Sequence, residues 1–456
     1  MEQITKPHCG ARLDRLPDCR WHSSMFAIVA FGLLVCWSNA VGGLILAQLK
    51  ALGWTDNSTT ATFSAITTAG MFLGALVGGI IGDKTGRRNA FILYEAIHIA
   101  SMVVGAFSPN MDFLIACRFV MGVGLGALLV TLFAGFTEYM PGRNRGTWSS
   151  RVSFIGNWSY PLCSLIAMGL TPLISAEWNW RVQLLIPAIL SLIATALAWR
   201  YFPESPRWLE SRGRYQEAEK VMRSIEEGVI RQTGKPLPPV VIADDGKAVP
   251  YSALLTGVLL KRVILGSCVL IAMNVVQYTL INWLPTIFMT QGINLKDSIV
   301  LNTMSMFGAP FGIFIAMLVM DKIPRKTMGV GLLILIAVLG YIYSLQTSML
   351  LITLIGFFLI TFVYMYVCYA SAVYVPEIWP TEAKLRGSGL ANAVGRISGI
   401  AAPYAVAVLL SSYGVTGVFI LLGAVSIIVA IAIATIGIET KGVSVESLSI
   451  DAVANK

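Results

Sequence analysis

Charge is scarce in this sequence. Lys, Arg, Asp and Glu make up 12% of its 456 residues, about half of the ~25% usual in a soluble domain, which argues against a water-exposed enzyme. Histidine is rarer still, at three residues, and His8 and His22 fall in the N-terminal tail. The seven cysteines include no C-x-x-C pair and no nearby His ligand, so neither a disulfide framework nor a metal site is indicated. No G-x-x-x-x-G-K-[ST] loop is present, which removes nucleotide hydrolysis as an energy source, and no nucleophile and base stand at a catalytic spacing. A single basic stripe is missing too. The net charge of +9 is scattered over short segments between apolar runs, a pattern of membrane orientation rather than of nucleic-acid binding.

What is abundant is apolar sequence, at 56% of residues. A bilayer core of ~30 Å needs roughly 20 residues of helix, and twelve runs reach that length. They cover 23–47, 62–82, 90–108, 112–135, 151–174, 182–202, 263–288, 299–320, 328–346, 349–374, 387–411 and 415–437. The fold expected is an all-α membrane protein of twelve transmembrane helices in two six-helix bundles. Its parts are a tail (1–22), a first bundle (23–202), a linker with short helices (203–262), a second bundle (263–437) and a second tail (438–456). The first 22 residues lack an apolar core and a small-residue cleavage site, so they read as a retained tail. In the linker, Tyr215, Ala218, Met222, Ile225 and Val229 form one apolar helical face, expected to pack on the ends of the bundle or to lie on a solvated helix. Gly234 to Pro250 reads as a flexible stretch.

With the N-terminus inside, 27 of the 33 Lys and Arg fall on the tails and even-numbered loops, against Lys50, Arg181 and Lys296 on the other side. Both termini are therefore expected in the cytoplasm. An internal repeat supports two related halves. Asp83-Lys84 and Arg87-Arg88 after span 2 recur as Asp321-Lys322 and Arg325-Lys326 after span 8, and Glu138, Pro141 and Arg145-Gly146 after span 4 recur as Glu377, Pro380 and Arg386-Gly387 after span 10.

Three motifs carry a family resemblance. Gly79-x-x-x-Asp83-Lys84-x-Gly86-Arg87-Arg88 joins spans 2 and 3, Arg118-x-x-x-Gly122-x-Gly124-x-Gly126 lies in span 4, and Pro203-Glu204-Ser205-Pro206-Arg207-Trp208-Leu209 follows span 6. The first two resemble signature motifs of the major facilitator superfamily, and the third its sugar-porter family. The tail segment Leu13 to Pro17, the Trp283-Leu284-Pro285 segment and Gly395-Arg396 look more like carriers of organic acids, nicotinate-type compounds and organic ions. Span 7 has Gln277-Tyr278 in place of the Gln-Gln pair of hexose porters. Span 1 has Asn39 where proton-coupled relatives commonly carry an Asp. The resemblance implies secondary transport by alternating access across the inner membrane of a bacterium, with a monomer, no cofactor, and protons as co-substrate. The substrate class stays open between sugar, polyol, and sugar acid or organic acid, as do proton symport, an uncoupled uniporter and an organic-anion porter; a non-transporting sensor has no feature in its favour.

An ionised group at bilayer depth needs a partner or a wet cavity. Arg118 and Arg396 therefore either contact an anionic substrate or pair with carbonyls and a neighbouring carboxylate. Asn39, Gln277, Tyr278, Asn282, Trp283, Asn302, Tyr369 and Asn392 supply amides and aromatic faces for the same cavity, or serve as helix-helix contacts; Trp37 and Tyr366 belong to the same group. Glu95 and His98, three apart on span 3, either share a transported proton, or Glu95 reaches out to water or to the basic loop. Gly79, Asp83, Gly86, Arg87 and Arg88 with Glu138 and Arg145, and Glu377 with Arg386, are expected to form inner-face ion pairs that gate the cavity. Single-cysteine labelling at residue 245 and at the C-terminus of the full chain checks the orientation: both should react only from the cytoplasmic side.

Overall fold

Backbone amides at bilayer depth find no water, so each apolar run must close its own hydrogen bonds as helix. In the computed structural model the described residues form helices and no strand. Residues 7–441 are described, apart from 18, 36, 142–144, 241–250 and 381–382 and the side chains of residues 134, 145, 146, 251, 384 and 385. Nine helices among them are long and apolar enough to cross a bilayer. The last, Lys384–Ile436, carries two spans, because Gly414 at φ 64° takes a conformation closed to most side chains and lets the chain reverse. Two more spans are interrupted helices, Arg20–Val35 with Gly42–Ala51, and Arg145–Asn157 with Ser159–Leu170. Twelve spans result, as the apolar runs predict.

The interruptions have local causes. Span 5 breaks at Trp158 and span 8 (Leu295–Met306 and Gly308–Val319) at Phe307, in each case three residues before a proline, Pro161 and Pro310. A proline ring clashes with the preceding turn and removes one of its hydrogen bonds. The two breaks meet: the Trp158 and Phe307 rings lie edge to face at 6.3 Å. Span 1 resumes at Gly42-Gly43, where a Cβ on Gly43 would strike the Ile281 carbonyl, so glycine allows this half-helix to lie against span 7 (Gly257–Thr290).

Within the first half, span 4 (Met111–Tyr139) packs on span 2 (Asn57–Thr85) and span 3 (Arg87–Ala106), and span 3 also packs on span 6 (Ala176–Tyr201). Across the seam between halves, span 1 meets span 7, span 2 meets span 11 and span 5 meets span 8. Asn57 Nδ2 donates to Ser411 Oγ at 3.0 Å at the seam end remote from the basic loops. Nearer mid-depth, Asn302 Nδ2 donates to Ser164 Oγ at 3.1 Å, and the Tyr160 and Tyr364 rings lie 5.4 Å apart.

The linker helix Tyr215–Thr233 buries Ala218, Met222, Ile225 and Val229 under the short linker helix Pro206–Ser211 and the N-terminal tail, with Trp21 at the start of span 1 beside them. Cys9, Leu13 and Leu16 from the tail close one apolar cluster with Trp208 and Leu209. Charge matches the docking: Arg12 and Arg15 each bond Glu226 at 2.7 Å, Arg12 also bonds Glu219, and Arg207 bonds Asp14 at 3.0 Å. Burial alone would raise Glu226, yet the Arg12 and Arg15 guanidiniums outweigh it and hold the carboxyl below its ordinary value. Its contribution is therefore present above the ordinary carboxylate value and lost as pH falls through the depressed one. Burial, and then the Glu210 carboxylate, push the Cys9 thiol up to about 12, so the docked thiol is inert. Maleimide labelling of Cys9 at neutral pH should be slow, and Glu226→Ala should speed it about tenfold, the equivalent of ~1.4 kcal/mol for partly exposed ion pairs. Unchanged labelling would leave the apolar cluster as the sole anchor.

Candidate transport site and gate

Arg118 is fully buried in span 4. Its Nη1 donates to the Ser38 carbonyl at 2.7 Å, its Nε to Thr67 Oγ1 at 3.3 Å, and its guanidinium sits 4.6 Å from the centre of the Phe63 ring. The Ser38 carbonyl is available because span 1 is unwound there: the stretch from Trp37 to Val41 turns without continuous helix, and Asn39 lies in this break. A guanidinium at this depth is thus satisfied by carbonyl, hydroxyl and ring face.

The Ser38 hydroxyl has a second partner. Its Oγ is 2.7 Å from His98 Nε2, and His98 Nδ1 is 3.4 Å from Glu95 Oε2. Glu95, His98 and Ser38 are all fully buried, and Glu95 Oε1 finds no hydrogen-bond partner among the described residues. Glu95 therefore reaches neither water nor the basic loop: its observed contact is the imidazole. A continuous polar chain runs from Arg118 through Ser38 to His98 and Glu95.

Arg396 differs from Arg118. It is partly exposed on span 11, and its Nη1 is buried with no hydrogen-bond partner among the described residues. One turn further, Gly399 abuts Tyr278 of span 7 and Thr68 of span 2, so this part of span 11 faces the seam. Among the described residues of the second half no carboxylate lies in the interior of a span: Asp297, Asp321, Glu377 and Glu439 all stand at or beyond span ends.

The remaining predicted residues divide. Asn282 Oδ1 of the second half and the Arg118 guanidinium of the first both lie against Gly42, and Asn302 crosses the seam to Ser164. Gln277 and Tyr278 are half-buried on span 7. Trp283 is fully buried in an apolar cluster with Ala61 of span 2 and Val406 and Leu410 of span 11. Tyr369 stacks on Tyr374 at 5.0 Å and its hydroxyl points at Gly329 of span 9 (Arg325–Ser344), which places it inside the second half instead of on a cavity wall. Asn392 is exposed and its amide bonds its own helix at the Ser388 carbonyl. Residues not singled out from sequence, Ser38, Phe63, Thr67, Tyr160, Ser164 and Tyr364, are brought to the same region. Small hydroxyls in apolar runs carry too weak a signal to choose among them, although the proline-marked break beside Tyr160 is one that sequence offers.

At the basic-loop end, Arg87 Nη1 bonds Asp83 at 2.7 Å and its Nη2 bonds Glu138 at 2.8 Å, while Arg88 donates to the Trp199 carbonyl. The same arrangement repeats in the second half: Arg325 bonds Glu377 at 3.0 Å and Asp321 at 3.1 Å. These carboxylate pairs each stay within one half. Glu377 also accepts from the Thr440 hydroxyl, and Arg386 is half-buried at the start of span 11. The Arg145 side chain lies outside the described residues. Gly86 ends span 2 against the Glu204 carboxylate, which accepts from the Arg87 and Arg88 amides; Gly79 faces open space. Glu439 accepts from the Arg325 and Lys326 amides in the same way.

Residues 26–403 match the sequence model of the Major Facilitator Superfamily, and the chain belongs to this superfamily of membrane transporters. It is 99% identical over 459 residues to YdjK of Escherichia coli (strain K12), with 100% of both chains covered. The inner membrane metabolite transport protein YdjE of the same organism is 44% identical over 455 residues, covering 98% of this chain and 99% of that one. Among solved structures, the xylose transporter XylE from E. coli in a partially occluded inward open conformation shares the fold, with a TM-score of 0.75 at 18% identity over 93% of this chain and 100% of that one.

Asp83 is 67% exposed and Glu138 only 20%. Asp83→Asn should thus cost under ~1 kcal/mol of stability. Glu138→Gln should cost about 2 kcal/mol or more, because it strips the buried side of Arg87 and the Ser205 hydroxyl of their shared carboxylate. Thermal unfolding of both variants in nanodiscs orders the two, and equal losses would contradict this division.

Proposed function

We propose that the chain is a secondary transporter that carries a small polar metabolite bearing a carboxylate, such as an organic acid or sugar acid, across the inner membrane by proton symport. The observation that carries the substrate charge is Arg396 Nη1 on the seam-facing span 11, buried without a hydrogen-bond partner among the described residues, in a half whose described carboxylates stand at or beyond span ends. A guanidinium fork matches a carboxylate with two parallel hydrogen bonds. Asn282, Asn302, Gln277 and Tyr278 supply neutral donors and acceptors for hydroxyls around it, and Tyr160 and Tyr364 a ring face. The metabolite class and the inner membrane are supported by the name of YdjE at 44% identity.

Glu95 and His98 are the proposed proton site, as a fully buried carboxylate and imidazole in contact. Arg118, held by the protein itself, is a positioning group at rest rather than the first substrate contact. Alternating access follows from two halves that meet along one seam, with Asn57 and Ser411 bonded at one end and the ion pairs at the other kept within each half. Span 1 lacks a carboxylate, which favours a second reading, an uncoupled uniporter of the same substrates.

Uptake into proteoliposomes of radiolabelled nicotinate, D-gluconate and a neutral polyol tests the reading. Nicotinate or D-gluconate should accumulate above the outside concentration under an inward proton gradient. Arg396→Lys should raise the KM of the transported acid at least tenfold while changing polyol entry little. Equal losses for acid and polyol would make Arg396 structural, and uptake that only equilibrates would favour the uniporter.

A further inference from the structure

We infer that Ser38 is the positioning residue that links the proton site to the guanidinium of Arg118, its hydroxyl reversing its hydrogen bond as His98 gains or loses a proton. The inference rests on the proton-coupled reading and adds to it the route by which protonation is felt in span 1. Ser38 bonds both partners: its carbonyl takes Arg118 Nη1 and its hydroxyl takes His98 Nε2, both at 2.7 Å. A serine hydroxyl is both donor and acceptor, whereas a ring nitrogen is an acceptor when bare and a donor when protonated. With His98 neutral and its Nδ1 proton toward Glu95, Nε2 is bare and the Ser38 hydroxyl donates to it. When a proton arrives, both ring nitrogens donate, one to Glu95 and one to Ser38 Oγ. The Ser38 proton must then turn away and find another acceptor. Because Ser38 sits in the unwound stretch of span 1 and not in a helix, that reorientation acts on a segment free to change its dihedrals.

The surroundings leave this route little competition. Span 4 faces His98 with Gly124, packed on the His98 backbone, and carries Cys117 and Arg118 further along. Charged groups of span 2 (Asp83, Lys84) and of span 6 (Glu177, Arg181, Arg200) stand at the ends of those helices, and Arg20, His22 and Lys50 stand toward the ends of span 1. Tyr94, on span 3 itself, donates to the Gly78 carbonyl.

Ser38→Ala removes the hydroxyl but keeps the carbonyl that holds Arg118, and Ser38→Thr keeps both. The full chain in lipid is read two ways: accumulation of nicotinate and D-gluconate under a proton gradient with counterflow exchange at equal pH, and the pH titration of the His98 imidazole followed by 15N-histidine NMR, its signals assigned by their loss in His98→Gln. Expected are a displaced His98 titration in Ser38→Ala, accumulation reduced at least fivefold toward simple equilibration, counterflow within about twofold of wild type, and wild-type behaviour of Ser38→Thr in all three. A His98 titration unmoved by Ser38→Ala, or moved with accumulation intact, overturns the link. If wild type never accumulates either acid, the symport reading has failed, and the Ser38 assignment is decided by the His98 titration alone.

Discussion

A guanidinium buried at mid-depth without a carboxylate against it constrains everything around it. Leaving such a charge without partners in hydrocarbon costs at least several kcal/mol, so the first half must offer Arg118 oxygen atoms and a ring face. An intact helix has few carbonyls to spare in its interior, since each already accepts from the residue four ahead. Span 1 meets the demand by unwinding: its Ser38 carbonyl turns to Arg118, and Thr67 and Phe63 of span 2 complete the cage. The break then has consequences of its own. It frees the second half of span 1 to lie against span 7 at Gly43, and it places the Ser38 hydroxyl on His98. Seam packing and the contact of span 1 with the buried Glu95–His98 pair thus hang on one satisfied charge.

How far this was legible in the sequence depends on the range of the interaction. The twelve spans follow from run length alone, but the breaks in spans 5 and 8 do not follow from proline alone, since Pro187, Pro285 and Pro403 lie inside unbroken helix while the chain opens before Pro161 and Pro310. The charge clusters at the span ends are readable because they repeat: Arg87 and Glu138 have their counterparts in Arg325 and Glu377, and the geometry of one pair is the geometry of the other. Glu95 and His98 are readable as neighbours one helical turn apart. The linker stripe is readable as a buried face, but not its cover, because an amphipathic helix does not say what will occupy it; Cys9, Leu13 and Leu16 of the tail share that place with Trp208 and Leu209 and with Trp21 at the start of span 1.

What lies between helices is another matter. Nothing local distinguishes Tyr369, turned into its own half against Gly329, from Tyr364, turned toward Tyr160 across the seam, since the two stand five residues apart on one apolar helix. The π-helical turn at Tyr369–Tyr374 adds a residue to that face and shifts which side chains point where, a change no 3.6-residue periodicity registers. Ser38 is harder still. Its importance lies as much in its backbone oxygen as in its side chain, and that oxygen becomes available only because the helix is open at that point.

The two halves share a plan but not a load. In the first, the tail, the linker helices and the Asp83 loop are fastened together: Trp208 and Arg212 donate to the Asp83 carbonyl, Glu204 takes the amides after Gly86, and Ser205 and Arg87 meet at Glu138. In the second, Glu439 and Thr440 play the corresponding part at Arg325 and Glu377 with only a short segment of chain. A body braced in this way moves as one piece, because shifting any one element breaks several charge-assisted bonds at once. The proposed rocking of the halves is then best placed along the seam, where packing is mostly apolar and the observed polar bridges, Asn57 to Ser411 and Asn302 to Ser164, join neutral groups that water can replace at little cost.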